Sequence, residues 1–377
     1  MAEPFKLLLN APLVALAASH FARVAPGFDA DAFSAQASLG LDALELKARA
    51  MQIADALEAR LPADFDQAAD LIEAALAPAP DHQRLGELRS GADGLAGWIL
   101  WPVGDYIARR GLARPDRALA TLHALTQRFT AEFAIRPFLV QHPALSFATL
   151  ARWASDPSAH VRRLVSEGSR PRLPWGLRLQ ALVIDPSPTL PLLRTLQDDP
   201  SEYVRRSVAN HLNDIAKDHP ALVAQWLAEH LPSAPPPRRA LLRHASRSLI
   251  KSGDLAVLQA WGLGEAFGGH ATLQLSAATV TVGDSLQLTV QLHSNTQAPQ
   301  RLAIDYAVHH VKAGGHSTAK VFKGWVLALA PGETRQLVKR HSLKAITTRR
   351  YHPGVHALDL RINGQVVAEA GFTLALV

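Results

Sequence analysis

Two ten-residue stretches of this chain are near copies of each other. Residues 156–165 read Asp-Pro-Ser-Ala-His-Val-Arg-Arg-Leu-Val, and residues 199–208 read Asp-Pro-Ser-Glu-Tyr-Val-Arg-Arg-Ser-Val, at an offset of 43 residues. A period of this size, with an Asp-Pro turn feeding a helix, points to stacked helix pairs, because each pair must bury its apolar stripe against its neighbours. The punctuation agrees. Leu61-Pro62, residues 77–80, Asp185–Pro188 and Ser233–Pro237 are clusters that proline places at helix boundaries, since the ring is tolerated in a first turn and breaks an interior. His142-Pro143 and His219-Pro220 match as helix exits, and a weaker copy runs through Arg238–Ile250. Between the clusters, Leu41, Leu44, Leu46, Ala50, Ile53, Leu57 and Leu61 recur at helical spacing.

Near residue 268 the period changes from helical to alternating. Strand-like runs cover 272–275, 280–282, 286–292, 302–308, 320–327, 334–341, 354–362 and 365–376, and Asn363-Gly364 is a hairpin turn signal. The expected fold is multidomain: an all-α HEAT-like repeat solenoid over 1–265, then an all-β immunoglobulin-like sandwich over 266–377. Gly262, Gly264, Gly268 and Gly269 are expected to form the hinge.

The 377 residues are enough for two cores, and the formal net charge of +6 is compatible with a polyanionic partner. No cysteine is present, which excludes disulfides, thiolate metal sites and a cysteine nucleophile. Lys6, Leu7-Leu8-Leu9 and the apolar run 14–18 imitate a signal peptide. Asn10 and Pro12 interrupt it, so it reads as the first helix of the fold. No stretch is expected to be long and apolar enough to span a membrane, and a cytoplasmic location is expected.

The inner helices carry polar stripes. Arg163, Glu167 and Arg170 share a face beside the apolar stripe Val161, Leu164, Val165 and Gly168. Arg206, Asn210 and Asp214 line up in the next repeat, with Asn213 beside them and Val204, Val208, Leu212 and Ile215 buried. Arg128, Glu132 and Arg136 have the same spacing in the preceding one. If all three stripes face the groove, one site holds Glu132, Glu167 and Asp214. Such pairs also support a solvated helix without any function, by about 0.2–0.5 kcal/mol each. Trp175, in Arg170-Pro171-Arg172-Leu173-Pro174-Trp175, is placed either to stack on a base or cation or to plug the edge of the core. Trp98, Trp101, Trp153, Trp226 and Trp261 read as core. The 17 histidines show no metal-ligand spacing, so no metal is expected. Walker and nucleophile-elbow motifs are absent. Lys320, Lys323, Arg335, Lys339, Arg340, Lys344, Arg349 and Arg350 make the late sandwich basic, a surface for phosphates or simply for solvent.

Thr130-Ala131-Glu132-Phe133-Ala134-Ile135-Arg136-Pro137-Phe138-Leu139, His142-Pro143 and 156–175 resemble the AlkC branch of HEAT-like DNA glycosylases, as do Leu44–Arg49 and Leu61–Phe65. The resemblance covers nearly the whole chain, and the long variant of that family carries a C-terminal immunoglobulin-like domain. It implies excision of 3-methyladenine and 3-methylcytosine from double-stranded DNA, without base flipping and without a cofactor. It implies Glu132, Glu167, Asp214 and Trp175 as catalytic residues with Arg163 alongside. Arg136, Arg162, Arg163, Arg170, Arg172, Arg205, Arg206, Asn210, Arg349 and Arg350 are the expected DNA contacts, in a protein expected to act as a monomer. The competing expectations are a non-catalytic DNA-binding scaffold and a protein-binding scaffold.

Overall fold

The computed structural model describes residues 4–80, 87–346 and 349–376. Its helices are α1 (Ala11–Val24), α2 (Ala30–Ser38), α3 (Leu46–Glu58), α4 (Phe65–Ala75), α5 (Leu100–Arg110), α6 (Pro115–Thr126), α7 (Arg136–Gln141), α8 (Pro143–Trp153), α9 (Ala159–Gly168), α10 (Gln180–Ile184), α11 (Leu190–Leu196), α12 (Glu202–Ile215), α13 (Pro220–His230), α14 (Pro236–Ala245), α15 (Arg247–Ser252) and α16 (Leu255–Ala260). The strands are β1 (Gly269–Leu275), β2 (Thr279–Thr281), β3 (Ser285–Ser294), β4 (Gln300–Val311), β5 (Ser317–Leu329), β6 (Thr334–Ser342), β7 (Gly354–Ile362) and β8 (Gln365–Ala375). They form two compact units. One comprises residues 1–218 with 235–244, the other 219–234 with 245–377.

The first unit is the helical stack. The two copied segments adopt one local structure. Asp156 Oδ1 accepts from Ser158 N, and Asp199 Oδ1 from Ser201 N, both at 2.8 Å, so each aspartate closes the turn that launches α9 or α12. The first arginine of each copy then folds back on that turn. Arg162 Nη1 donates to Asp156 O and Pro157 O, and Arg205 Nη1 to Asp199 O and Pro200 O. Arg162 also grips Asp199 of the following copy at 2.6 Å. The apolar stripes Val161, Leu164, Val165 and Val204, Val208, Leu212, Ile215 are buried, at about 1.5–3 kcal/mol for each large side chain. Gly168, the last residue of α9, packs closely on Ile135, where an added Cβ would lie 2.6 Å from Ile135 Cγ2.

Two expectations fail in this unit. Arg128, Glu132 and Arg136 do not share a helix: α6 stops at Thr126 and α7 starts at Arg136. Arg128 O accepts from Gly97 N, and Thr130 Oγ1 accepts from Glu132 N, so one bond distant in sequence and one local bond replace the helical ladder. Phe5–Val24, moreover, is long and apolar enough to cross a membrane, with mean hydropathy 1.4 over its best window. In the fold it is a short 3₁₀ turn followed by α1. Asn10 Oδ1 accepts from Leu13 N at the start of α1, and Leu9, Val14, Ala17 and Phe21 are buried.

The second unit contains α13, α15, α16 and the strands. β1-β3-β6 make one sheet and β2-β8-β7-β4-β5 the other, with all pairings antiparallel except β2 with β8. All eight strand-like runs are strands, and the helical region precedes an immunoglobulin-like sandwich. Alternation supplies two buried clusters, one on Leu286, Leu288, Tyr306, Val308 and Leu358, the other on Val290, Leu292, Leu302, Ile304 and Leu360. Asn363 and Gly364 turn β7 into β8 with φ of 50° and 82°, the two positive values this hairpin type requires.

Candidate active site

Three segments deliver the three predicted carboxylates to one network. Glu132 comes from the turn before α7, Glu167 from the last turn of α9, and Asp214 from the last turn of α12. Arg163 Nη1 lies 2.9 Å from Glu132 Oε2, and its Nη2 lies 3.8 Å from Glu167 Oε2. Arg170 reaches Glu167 Oε1 at 2.5 Å and Asp214 Oδ2 at 2.8 Å. Lys217 Nζ closes the chain on Asp214 Oδ1 at 2.8 Å. Ser207 Oγ donates to Glu167 Oε2 at 2.5 Å, and Thr130 Oγ1 to Glu132 Oε2 at 2.7 Å. Three carboxylates thus alternate with three cations, fixed by hydrogen bonds from side chains on neighbouring elements.

The electrostatics follow from burial. Glu167 and Asp214 are 5% and 2% exposed. Burial pushes the Glu167 carboxyl up, but the Arg163 and Arg170 charges and the Ser207 hydroxyl outweigh it and hold it below the usual carboxylate range. Burial likewise opposes the charge on Arg163, and Glu132, Tyr203 and Glu167 reverse that, so its pKa is raised; the guanidinium also sits 5.0 Å over the Tyr203 ring. His211 is fully buried, donates through Nδ1 to Ser166 O, and is pushed by burial down to about 3, so it is neutral.

Trp175 sits in the loop between α9 and α10. Its backbone is left-handed, with φ 65°, and its indole is 68% exposed. A left-handed backbone costs a non-glycine residue about 1–2 kcal/mol, and an exposed indole returns little of it. Trp175→Gly is therefore expected to be more stable than Trp175→Ala by about 1 kcal/mol, reversing the usual order of these residues. Paired thermal melts check this, and an Ala variant as stable as the Gly variant would contradict it.

Arg136 holds this loop from below. It is wholly buried and donates through Nε to Leu177 O and through Nη1 to Gly168 O. Burial lowers its pKa to about 10, reinforced by the nearby Arg170 charge. The expectation that it contacts DNA is corrected: the side chain is wholly buried, and its Nε and Nη1 face two carbonyls inside the protein. Arg170 is likewise buried among carboxylates. Arg162 and Arg205 are tied to their turns, and Arg172 makes a two-pronged pair with Asp218 at 2.6 Å. Asn210 Oδ1 accepts from His244 Nε2 at 2.9 Å. Arg206 is the exposed arginine of α12 and lines a 430 Å³ hollow with Arg205, Pro237 and His244. In the sandwich, Arg349 packs at 5.7 Å from the Tyr351 ring and bonds His310 Nε2, while Arg350 is exposed.

Spacing missed an aromatic tract. Phe5, Trp98, Trp101, Phe133 and Trp175 form a chain of ring contacts, with Trp101–Phe133 centroids 5.1 Å apart and Trp101–Trp175 centroids 6.5 Å apart. Trp98 and Trp101 are thus more than core filling. One turn after Trp101, Asp105 was also overlooked. Burial raises its carboxyl to about 6 against the opposing charges of Arg109 and Lys47, and among the described residues nothing hydrogen-bonds to it. A carboxyl whose folded pKa exceeds its unfolded value of 3.8 takes up a proton on folding below about pH 6. Its stability contribution is therefore present in acid and lost as pH rises through 6. Asp105→Asn is expected to raise stability by about 1–3 kcal/mol at pH 8 and by little at pH 4. Equal shifts in melting temperature at both pH values would contradict this.

A helical-repeat unit with a buried carboxylate–arginine chain, followed by an immunoglobulin-like sandwich, defines the class: repeat proteins that build a charged site between successive helix pairs. The particular family follows from comparison with known proteins. The structure of Pseudomonas fluorescens alkylpurine DNA glycosylase AlkC bound to DNA containing an abasic site analog matches with a TM-score of 0.89 and 35% identity, covering 99% of this chain and 100% of that one. "Uncharacterized protein YhaZ" of Bacillus subtilis (strain 168) is 41% identical over 282 residues, 72% of this chain and 75% of that protein. Residues 269–376 match the family described as "Uncharacterised protein YhaZ, C-terminal Ig-like domain". The chain belongs to the AlkC family of HEAT-like DNA glycosylases, in the form that carries the immunoglobulin-like domain.

Proposed function

We propose that this protein is a monofunctional DNA glycosylase that releases 3-methyladenine and 3-methylcytosine from alkylated double-stranded DNA. The observation that carries the reading is the convergence of Glu132, Glu167 and Asp214 on one arginine chain, with the exposed Trp175 held in the loop that follows Arg170. An N3-methylated base is already cationic and leaves without a general acid. What the protein must supply is fixed negative charge as the sugar becomes oxocarbenium-like, and a held water. Breaking the C1′–N bond sends its electron pair to the base. The water oxygen bonds C1′, and its proton passes to a carboxylate and on to solvent. Glu167 and Asp214 supply the charge. Their buried bonding to Arg170 fixes their positions before substrate arrives, so no reorganisation is needed during reaction. Trp175 offers an aromatic face to a cationic sugar or base.

Selection by the lesion's own charge needs no base pocket, which suits excision without flipping and contrasts with enzymes that extrude the target. Arg206 and Arg350, both exposed, are the arginines best placed to reach phosphates, whereas Arg163 is held by Glu132 inside the network, and the basic strands β5 and β6 make the sandwich an accessory DNA-contacting domain. The protein acts as a monomer, without metal or cofactor, in the cytoplasm on the nucleoid. The test is chemical. Incubation with methylated duplex should yield free base and abasic sites in equal amounts. Salt-dependent DNA binding without free base would leave a non-catalytic scaffold.

A further inference from the structure

A cavity of about 510 Å³ lies beside the aromatic tract, walled by Phe5, Leu46, Lys47, Trp101 and Trp175, within the size range of sites that enclose small ligands. Its two indoles are nearly parallel, 18° apart, with centroids 6.5 Å apart. That is the wide end of the range for ring pairs, and Trp175 keeps most of its surface open. The charge at the rim is equally defined. Lys6 is neutralised by Glu45 at 2.7 Å. Lys47 is exposed, and among the described residues it has no ion-pair or hydrogen-bond partner. The cavity therefore offers parallel aromatic faces and one exposed ammonium that is not tied up in an ion pair, although its charge is felt by the Asp105 carboxyl. A planar ring carrying one phosphate fits both features. An acidic peptide would leave the parallel faces unused.

We infer that this cavity receives one unpaired nucleotide of bound DNA, its base stacked on Trp175 and Trp101 and its phosphate on Lys47 Nζ. The inference rests on the proposed reading of the protein as a DNA glycosylase. Because that reading keeps the lesion out of a pocket, the occupant is the opposite nucleotide, which loses its partner once the lesion base is released. Stacking on a tryptophan accepts any base, so the subsite is indifferent to sequence.

The test compares the full-length protein's affinity for two duplexes of one sequence, one fully paired and one with a single bulged deoxyadenosine. Wild type is expected to prefer the bulged duplex about tenfold, the scale of one base–aromatic stack. Lys47→Ala, a change at an exposed side chain, should lower affinity for the bulged duplex several-fold and reduce the salt slope by about one. Trp101→Leu should abolish the preference, and a thermal melt establishes that this variant is folded. Equal affinity of wild type for the two duplexes, or unchanged preference in both variants, overturns the subsite. The underlying reading is separated from it by base release from methylated DNA. A protein that releases base but does not discriminate the duplexes keeps its assigned activity and loses the subsite. A protein that binds neither duplex loses both.

Discussion

Glu167→Gln should slow release of methylated base about 10²–10³-fold, the usual cost of deleting one preorganised electrostatic group. Glutamine keeps the shape and can still meet Ser207 Oγ, so the change removes charge rather than packing. DNA affinity should hardly move, because Glu167 is 5% exposed and paired with Arg170. The effect belongs to the chemical step and is measured by single-turnover release at saturating enzyme. The wild-type pH profile carries a second signature. Arg163 and Arg170, against the effect of burial, hold Glu167 ionised below the usual carboxylate range. Activity should therefore persist without loss from this group down to about pH 4.5. Release by Glu167→Gln at the wild-type rate would remove this residue from the mechanism.

Arg170→Ala should destabilise the protein by about 3–5 kcal/mol, the penalty for stripping the partner from buried charges. Arg170 is itself buried and is the link between Glu167 and Asp214. Without it, the cation left near Glu167 is Arg163 at 3.8 Å, beside the Ser207 hydroxyl, and Asp214 keeps Lys217. The pH dependence has a definite sign. A carboxyl with a lowered folded pKa contributes stability that is present above its unfolded pKa, about 4.3–4.5, and lost as pH falls through its folded value. The gap between wild type and Arg170→Ala should therefore be widest at pH 7–8 and narrow toward acid. Arg170→Lys keeps the charge but not the planar fork that spans two carboxylates, so it should fall between them. Urea melts at pH 4.5 and 7.5 measure both effects. A gap independent of pH would mean that Arg170 acts through packing alone.

The copied Asp-Pro-Ser segments made the repeat register readable, since each aspartate closes its own turn and each first arginine folds back on it, although the Arg162–Asp199 pair between copies is not encoded locally. The faces of α9 and α12 were readable because α12 runs through its whole stripe and α9 carries Arg163 and Glu167, with Arg170 only two residues beyond its last residue, Gly168. The eight strands were readable because alternation persists through each buried pair of sheets. Spacing failed where its premise failed. The sites of Arg128, Glu132 and Arg136 align only if a helix joins them, and Thr130 and the Arg128 carbonyl end that helix by bonding elsewhere. Glu132 still reaches the site, through Arg163, across a separation of 31 residues that no local pattern encodes. The same limit concealed Arg136, whose partners Gly168 and Leu177 lie 32 and 41 residues away. Trp101 and Asp105 were hidden by their helical context. An apolar neighbourhood in sequence does not reveal that one side of α5 borders a cavity.

The central claim is that the carboxylate chain between the repeats breaks an N-glycosidic bond. It is tested most directly by quantifying free 3-methyladenine and 3-methylcytosine released from N-methylated duplex DNA, with wild type beside Asp214→Asn. The account predicts release by wild type, matched by abasic sites, and strong loss in Asp214→Asn with binding retained. Saturated binding by wild type with no free base would contradict it.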